Sequence, residues 1–235
     1  MTVPAQKKPP IVLIPGFMCD ATLWKLIRPE LATLGQVHLA DLNHGDTVEA
    51  MAARTIANLP DSCILIGFSL GGYVARRIAV LAAHKINKLV LLNTSARATT
   101  VVEIQRHQQQ IKMLKEYPYK GQTMTALKRA LHPDNNDDAA LLTLMQNMSL
   151  NLGREVFIRQ LGLIREDGHA DLRQIFCPTL VVASRQDQMR DLNEAENIVA
   201  ALPHATFCIL EQCGHMSPLE KPHELAAVLR NFILS

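Results

Sequence analysis

Short, nearly uninterrupted apolar runs recur along the chain at 11–14 (IVLI), 37–41 (VHLAD), 63–67 (CILIG), 88–93 (KLVLLN), 179–183 (TLVVA) and 206–210 (TFCIL). Runs of this length, rich in Val, Ile and Leu, predict strands, and those without polar alternation predict strands covered on both faces, as in a parallel sheet. Stretches with helical spacing lie between most of them. After the third run, Leu70, Val74, Ile78 and Leu81 predict a helix that packs onto the sheet through that stripe. The alternation predicts an α/β domain, with a mostly parallel sheet of about six strands and helices on both faces.

From Ala96 to about Leu172 the strand signals vanish, and the chain reads as consecutive helices broken at Pro118, Gly121, Pro133 and Gly153. Residues Asn135 to Asp138 offer capping side chains ahead of Leu141, Leu142, Met145 and Met148, whose spacing suits one helix face. This block is expected to be a helical cap, 98–172, inserted between the two parts of an α/β core, 1–97 and 173–235. A chain of 235 residues suits one such domain with one insertion, and neither an internal repeat nor a low-complexity linker is visible.

Composition narrows the function classes. Apolar residues make up 48% and charged residues 20%, ordinary values for a globular chain, and no segment is long and apolar enough to span a bilayer, so no membrane partner is expected. The formal charge of +2 comes from scattered Lys and Arg, which argues against a nucleic-acid partner; the Arg76–Arg77 pair reads as a solvated helix face. The opening MTVPAQKKPP has no apolar core of signal-peptide length, and a cytoplasmic protein is expected. The five cysteines form an odd set without CxxC spacing, so neither a disulfide framework nor a zinc site is indicated; most are expected to be buried thiols.

Chemistry concentrates at 63–83. A strand-like run meets Gly67-Phe68-Ser69-Leu70-Gly71 and then an amphipathic helix, the setting in which a sharp turn lifts a serine hydroxyl above the sheet edge. The flanking glycines remove Cβ atoms where backbones come together. A serine nucleophile needs a base and an orienting acid, which in this architecture follow in the order Ser, Asp, His. Asp187, just past the run 179–183, fits the acid, with Asp191 as a rival. His215, after the last strand-like run, fits the base, and Gly214 beside it would leave the imidazole room. His44 lies in a loop at the same sheet edge, where an exposed position is the simpler reading. Near the front, the turn after 11–14 can aim the Phe17 backbone N–H at the nucleophile, and Leu70 N–H supplies a second donor for an oxyanion.

With these residues in place, the chain resembles the α/β-hydrolase superfamily, in particular its small capped serine esterases related to carboxylesterases and pimeloyl-carrier methyl ester esterases. The resemblance covers nearly the whole chain: GFSLGG matches the nucleophile elbow, SRQD the acid loop with Ser184 in place of a glycine, and CGHMSPLEKP the histidine loop. It implies an α/β-hydrolase fold, a triad of Ser69, Asp187 and His215, oxyanion donors at Phe17 and Leu70, and cleavage of a small-molecule carboxylic ester without metal or organic cofactor. Two features depart from the pattern. Pro15-Gly16 replaces the family's His-Gly, and with ten residues ahead of the first strand the family's first two strands are expected to be missing or rudimentary.

Substrate preference is expected to come from the cap, where Met113, Met124, Met145 and Met148 either line an adaptable pocket or pack the cap onto the core. Arg97 and Arg185 are candidates for attracting an anionic substrate, or for fixing loops. Acyl transfer, elimination as in the menaquinone-pathway synthase, and a ligand-binding protein without turnover remain alternatives, since one scaffold carries many activities.

Overall fold

A computed structural model describes residues 8–235; the start of the chain, up to Lys7, lies outside the described residues. Six strands, β1 (Ile11–Ile14), β2 (Val37–Leu39), β3 (Cys63–Phe68), β4 (Ile86–Leu92), β5 (Thr179–Ser184) and β6 (Ala205–Leu210), form one sheet in the order β2-β1-β3-β4-β5-β6. Every pairing is parallel, from Ile11 opposite Val37 at one edge to Ser184 opposite Leu210 at the other. The chain lays β2 on one side of β1 and then returns to lay β3 on the other. The reversal of strand order makes the carboxyl ends of β1 and β3 a switch point of the topology, the place where open α/β sheets bind ligands.

The helices are α1 (Arg28–Ala32), α2 (Val48–Ile56), α3 (Leu70–Leu81), α4 (Val101–Glu116), α5 (Met124–Arg129), α6 (Ala139–Leu161), α7 (His169–Leu172), α8 (Leu192–Ala201), α9 (Ser217–Glu220) and α10 (Pro222–Leu234). Alternation along the strands sorts them into two layers. Ile11, Leu13, Ile64, Ile66, Val90 and Val182 pack with Leu31 of α1 and Leu225 and Leu229 of α10. Their neighbours Val12, Ile14, Leu65, Leu89, Leu91 and Val181 pack with α2, α3 and α8. Both faces of β1, β3 and β5 are thereby buried, which is why these strands read as continuous apolar runs.

Two expectations about α3 change. Leu81 is 49% exposed, and Ala82, four residues beyond Ile78, takes the inward place. The Arg76–Arg77 pair is not a solvated face: Arg76 is buried, donates to the Ala96 carbonyl at 3.3 Å and faces Asp171 at 3.7 Å. Its guanidinium lies across Gly168, where even a Cβ would collide with it. The chain returning from the helical stretch thus covers a side of α3 that its own pattern marks as polar.

Between β4 and β5 the described chain is helical, with α4 to α7 and a short 3-10 turn at Pro133–Asn135. Asp138 caps α6 by accepting the Ala140 and Leu141 N–H groups, and Gly153 interrupts that helix at φ +81°. Met145 and Met148 are buried in the core beside α1 and α10, whereas Met113 and Met124 are half-exposed. All five cysteines are free; burial pushes the Cys19 and Cys213 thiols up to about 12 and that of Cys63 to about 11. No described helix is long and apolar enough to cross a membrane.

Candidate active site

Ser69 stands between β3 and α3 with φ +51° and ψ −112°. Its N–H donates to the Leu92 carbonyl at 2.9 Å, and its own carbonyl accepts from Thr94 Oγ1 at 2.7 Å and Gly72 N–H at 3.0 Å. These bonds, with β4, the loop after it and the first turn of α3, hold a conformation that costs a non-glycine residue roughly 1–3 kcal/mol. Close approach explains the glycines around the turn. A Cβ at Gly67 would lie 2.4 Å from the Gly71 carbonyl oxygen, and one at Gly71 would lie 2.3 Å from that of Ile14. Among the described residues, the non-glycine positions with positive φ are Met18, Ser69, Asn93 and Gln212, each just past the carboxyl end of a strand. Backbone strain is therefore concentrated along one edge of the sheet.

At that edge the structure brings Ser69, His215 and Asp187 together. His215 Nε2 lies 2.9 Å from Ser69 Oγ, and His215 Nδ1 lies 2.8 Å from Asp187 Oδ2. All three side chains are nearly enclosed, and the Phe68 ring packs 5.1 Å from the imidazole between centroids. Asp191, the rival carboxylate, instead caps α8 through the Asn193 N–H. Burial alone would raise the Asp187 carboxyl. The imidazole beside it, with hydrogen bonds from His215, Met189 N–H and Asn93, outweighs burial and holds it below the ordinary carboxylate range.

Asn93 is the residue at this site that the sequence reading missed. Its Nδ2 donates to Asp187 Oδ2 at 3.1 Å and to Ser184 Oγ at 2.8 Å, while Ser217 Oγ donates to Asn93 Oδ1 at 2.6 Å. The acid and histidine loops are also tied directly, by Gln186 N–H to the Cys213 carbonyl and Cys213 N–H to Gln186 Oε1, both at 3.1 Å. The Ala130 carbonyl, from the helical stretch, accepts the His215 N–H at 2.9 Å. A Cβ at Gly214 would strike the His132 N–H at 2.3 Å, so that glycine makes room for this crossing chain rather than for the imidazole.

Phe17 lies in the loop after β1 and Leu70 at the first position of α3; neither N–H donates to an acceptor among the described residues. Arg97 is held by Glu103 and Glu194 at 2.8 and 2.9 Å, and the exposed Arg185 pairs with Glu211 at 2.9 Å, so both arginines fix local structure. His44 is exposed. Among the described residues no group of three or more His, Cys, Asp or Glu side chains is gathered to hold a metal ion.

Over 96% of this chain and 98% of the relative's length, the sequence is 25% identical to a pimeloyl-[acyl-carrier protein] methyl ester esterase from Aromatoleum aromaticum. It is 26% identical to a 2-hydroxy-6-oxo-6-(2'-aminophenyl)hexa-2,4-dienoic acid hydrolase from Metapseudomonas resinovorans, over 97% of this chain and 85% of that one. In fold it is similar to a thermophilic esterase from Thermogutta terrifontis, with a TM-score of 0.85 at 23% identity, covering 97% of this chain and 90% of the other. A family model described as "Alpha/beta hydrolase family" matches residues 11–228, and with its six-stranded parallel sheet this chain belongs to that family.

Proposed function

We propose that the protein is a carboxylic ester hydrolase that works through an acyl-enzyme, with Ser69 as nucleophile, His215 as general base and Asp187 as the orienting acid. The observation that carries this reading is the unbroken relay from Ser69 Oγ to His215 Nε2 at 2.9 Å and from His215 Nδ1 to Asp187 Oδ2 at 2.8 Å. Relatives named as esterases and hydrolases support it.

In this mechanism Ser69 Oγ attacks the ester carbonyl while His215 Nε2 takes its proton, and Asp187 holds the proton on Nδ1 and stabilises the imidazolium. The unpartnered N–H groups of Phe17 and Leu70 receive the oxyanion, and removing one such donor costs about 3 kcal/mol of transition-state stabilisation. Collapse of the tetrahedral intermediate expels the alcohol with the proton from His215. A water molecule deprotonated by the same imidazole then cleaves the acyl-enzyme and releases the carboxylic acid. No step requires a metal or an organic cofactor.

The stretch 98–172 acts as a cap over this site. Ser69 is only 6% exposed, and the Ala130 carbonyl of that stretch bonds to the histidine loop. A small-molecule ester is the substrate class that fits so enclosed a nucleophile.

A fluorophosphonate probe tests the reading. The wild type should be labelled on Ser69, and Ser69→Ala should lose both labelling and ester hydrolysis, by about a million-fold in kcat. A wild type that binds small esters but is neither labelled nor active would favour a ligand-binding member of the fold.

A further inference from the structure

Gln160, near the end of α6, is 97% buried, yet neither end of its amide is idle. Its Oε1 accepts the Met18 N–H at 2.8 Å and its Nε2 donates to the Leu42 carbonyl at 3.0 Å, so one side chain bridges the loops after β1 and β2. Next to it Arg159 binds the Asn43 carbonyl and pairs with Asp46 at 3.3 Å, and the Phe157 ring meets that of Phe17 at 5.3 Å, edge to face.

We infer that Gln160 is a positioning residue that sets the direction of the Phe17 N–H, and so makes the oxyanion site depend on a docked cap. This rests on the reading of Phe17 as an oxyanion donor. The Phe17 N–H lies in the peptide plane between Gly16 and Phe17, and the plane that follows constrains it through the dihedrals of Phe17. The first, between Gly16 and Phe17, is held by the Cys19 N–H donating to the Gly16 carbonyl at 3.2 Å. The second, between Phe17 and Met18, is held by Gln160 through the Met18 N–H at 2.8 Å and, by a weaker thiol bond, by Cys19 Sγ donating to the Phe17 carbonyl at 3.4 Å. Met18 has φ +51°, a conformation that persists in a non-glycine residue only where the surroundings over-determine it. Without the Gln160 acceptor, a buried N–H is left unpaired and the loop gains a reason to rotate. The loop sits close enough to Ser69 for such a rotation to matter, since a Cβ on Gly16 would lie 3.3 Å from Ser69 Cβ.

The test compares Gln160→Met, which keeps length and removes both polar ends, with Gln160→Glu, which keeps the acceptor for Met18, and Arg159→Met, which loosens the neighbouring attachment alone. Gln160→Met should lower kcat about ten- to hundred-fold, as expected for a displaced rather than deleted oxyanion donor, with KM within about threefold. Inhibition by an alkyl boronic acid, whose tetrahedral adduct with Ser69 places an oxygen in the oxyanion site, should weaken by a similar factor. Gln160→Glu should lose less than Gln160→Met, and Arg159→Met should stay within about threefold of wild type in kcat. The inference is overturned if Gln160→Met keeps wild-type kcat or boronate affinity, or if Arg159→Met loses as much. If Gln160→Met does not fold, a Gln160→Glu variant that loses a hundred-fold or more in kcat overturns it equally. Fluorophosphonate labelling of the wild type separates the two claims: an unlabelled wild type defeats the serine-hydrolase reading, whereas a labelled wild type with an unaffected Gln160→Met defeats this one alone.

Discussion

Asn93 Nδ2 donates to the same oxygen of Asp187, Oδ2, that faces His215 Nδ1, so a neutral amide holds the carboxylate from behind. Its own orientation is set on both sides, by Ser217 Oγ donating to Oδ1 and by Ser184 Oγ accepting from Nδ2. Asn93→Ala removes the donor and leaves the Ser217 hydroxyl buried without its acceptor, which costs roughly 1–3 kcal/mol. In a domain of this size that lowers the melting temperature by several degrees, at about 2–4 °C per kcal/mol. The activity should fall about tenfold as Asp187 gains freedom to turn from the imidazole. Asn93→Asp keeps the shape but sets a second carboxylate against Asp187, so at neutral pH it should lose more activity than Asn93→Ala. Equal kcat in wild type and Asn93→Asp would remove Asn93 from the positioning of the acid.

The sheet was legible in the sequence because its inner strands are buried on both faces, and such strands are runs of Val, Ile and Leu that little else imitates. The meeting of Ser69 and His215 at one sheet edge was legible because each follows a strand at a place the architecture prescribes. Asn93 was hidden for the opposite reason. It ends an apolar run, and its partners Ser184 and Ser217 are 91 and 124 residues away, meeting it only once the carboxyl ends of β4 and β5 and the start of α9 converge. Gln160 was hidden likewise, with partners 142 and 118 residues away. Arg76 shows the limit of helical patterning. A face polar in sequence is buried when another part of the same chain carries a carboxylate and a carbonyl to meet it.

Asp187 and Asp191 are four residues apart and differ in what they touch, which permits a sharp comparison. Asp187→Asn leaves shape intact but lets His215 adopt the wrong tautomer, so kcat should drop by about ten-thousand-fold. Asp191→Asn retains a good helix cap, because asparagine and aspartate serve about equally at that position, and activity and melting temperature should both stay near wild type. Steady-state kinetics on the two purified variants decides between them. A damaged Asp191→Asn beside an active Asp187→Asn would mean that the carboxylate nearest the imidazole is not the one the reaction uses.

The pH dependence of stability follows from the same carboxylate. The folded protein holds Asp187 below the ordinary range, because its contacts with His215, Met189 N–H and Asn93 outweigh burial. Glu103 is held low as well, chiefly by its hydrogen bonds with the Arg97 guanidinium. A group depressed on folding binds its proton more readily in the unfolded chain, so its stabilisation is complete above the unfolded value, about 3.9 for aspartate and about 4.3 for glutamate, and is lost as pH falls through the folded value. The stability gap between wild type and Asp187→Asn, measured by urea unfolding, should therefore narrow as pH falls below about 4. The difference from Glu103→Gln should narrow in the same acid range. A stability gap that widens below about pH 4 would reverse the sign of the Asp187 argument, because it would mean that the folded state, not the unfolded one, binds the extra proton there.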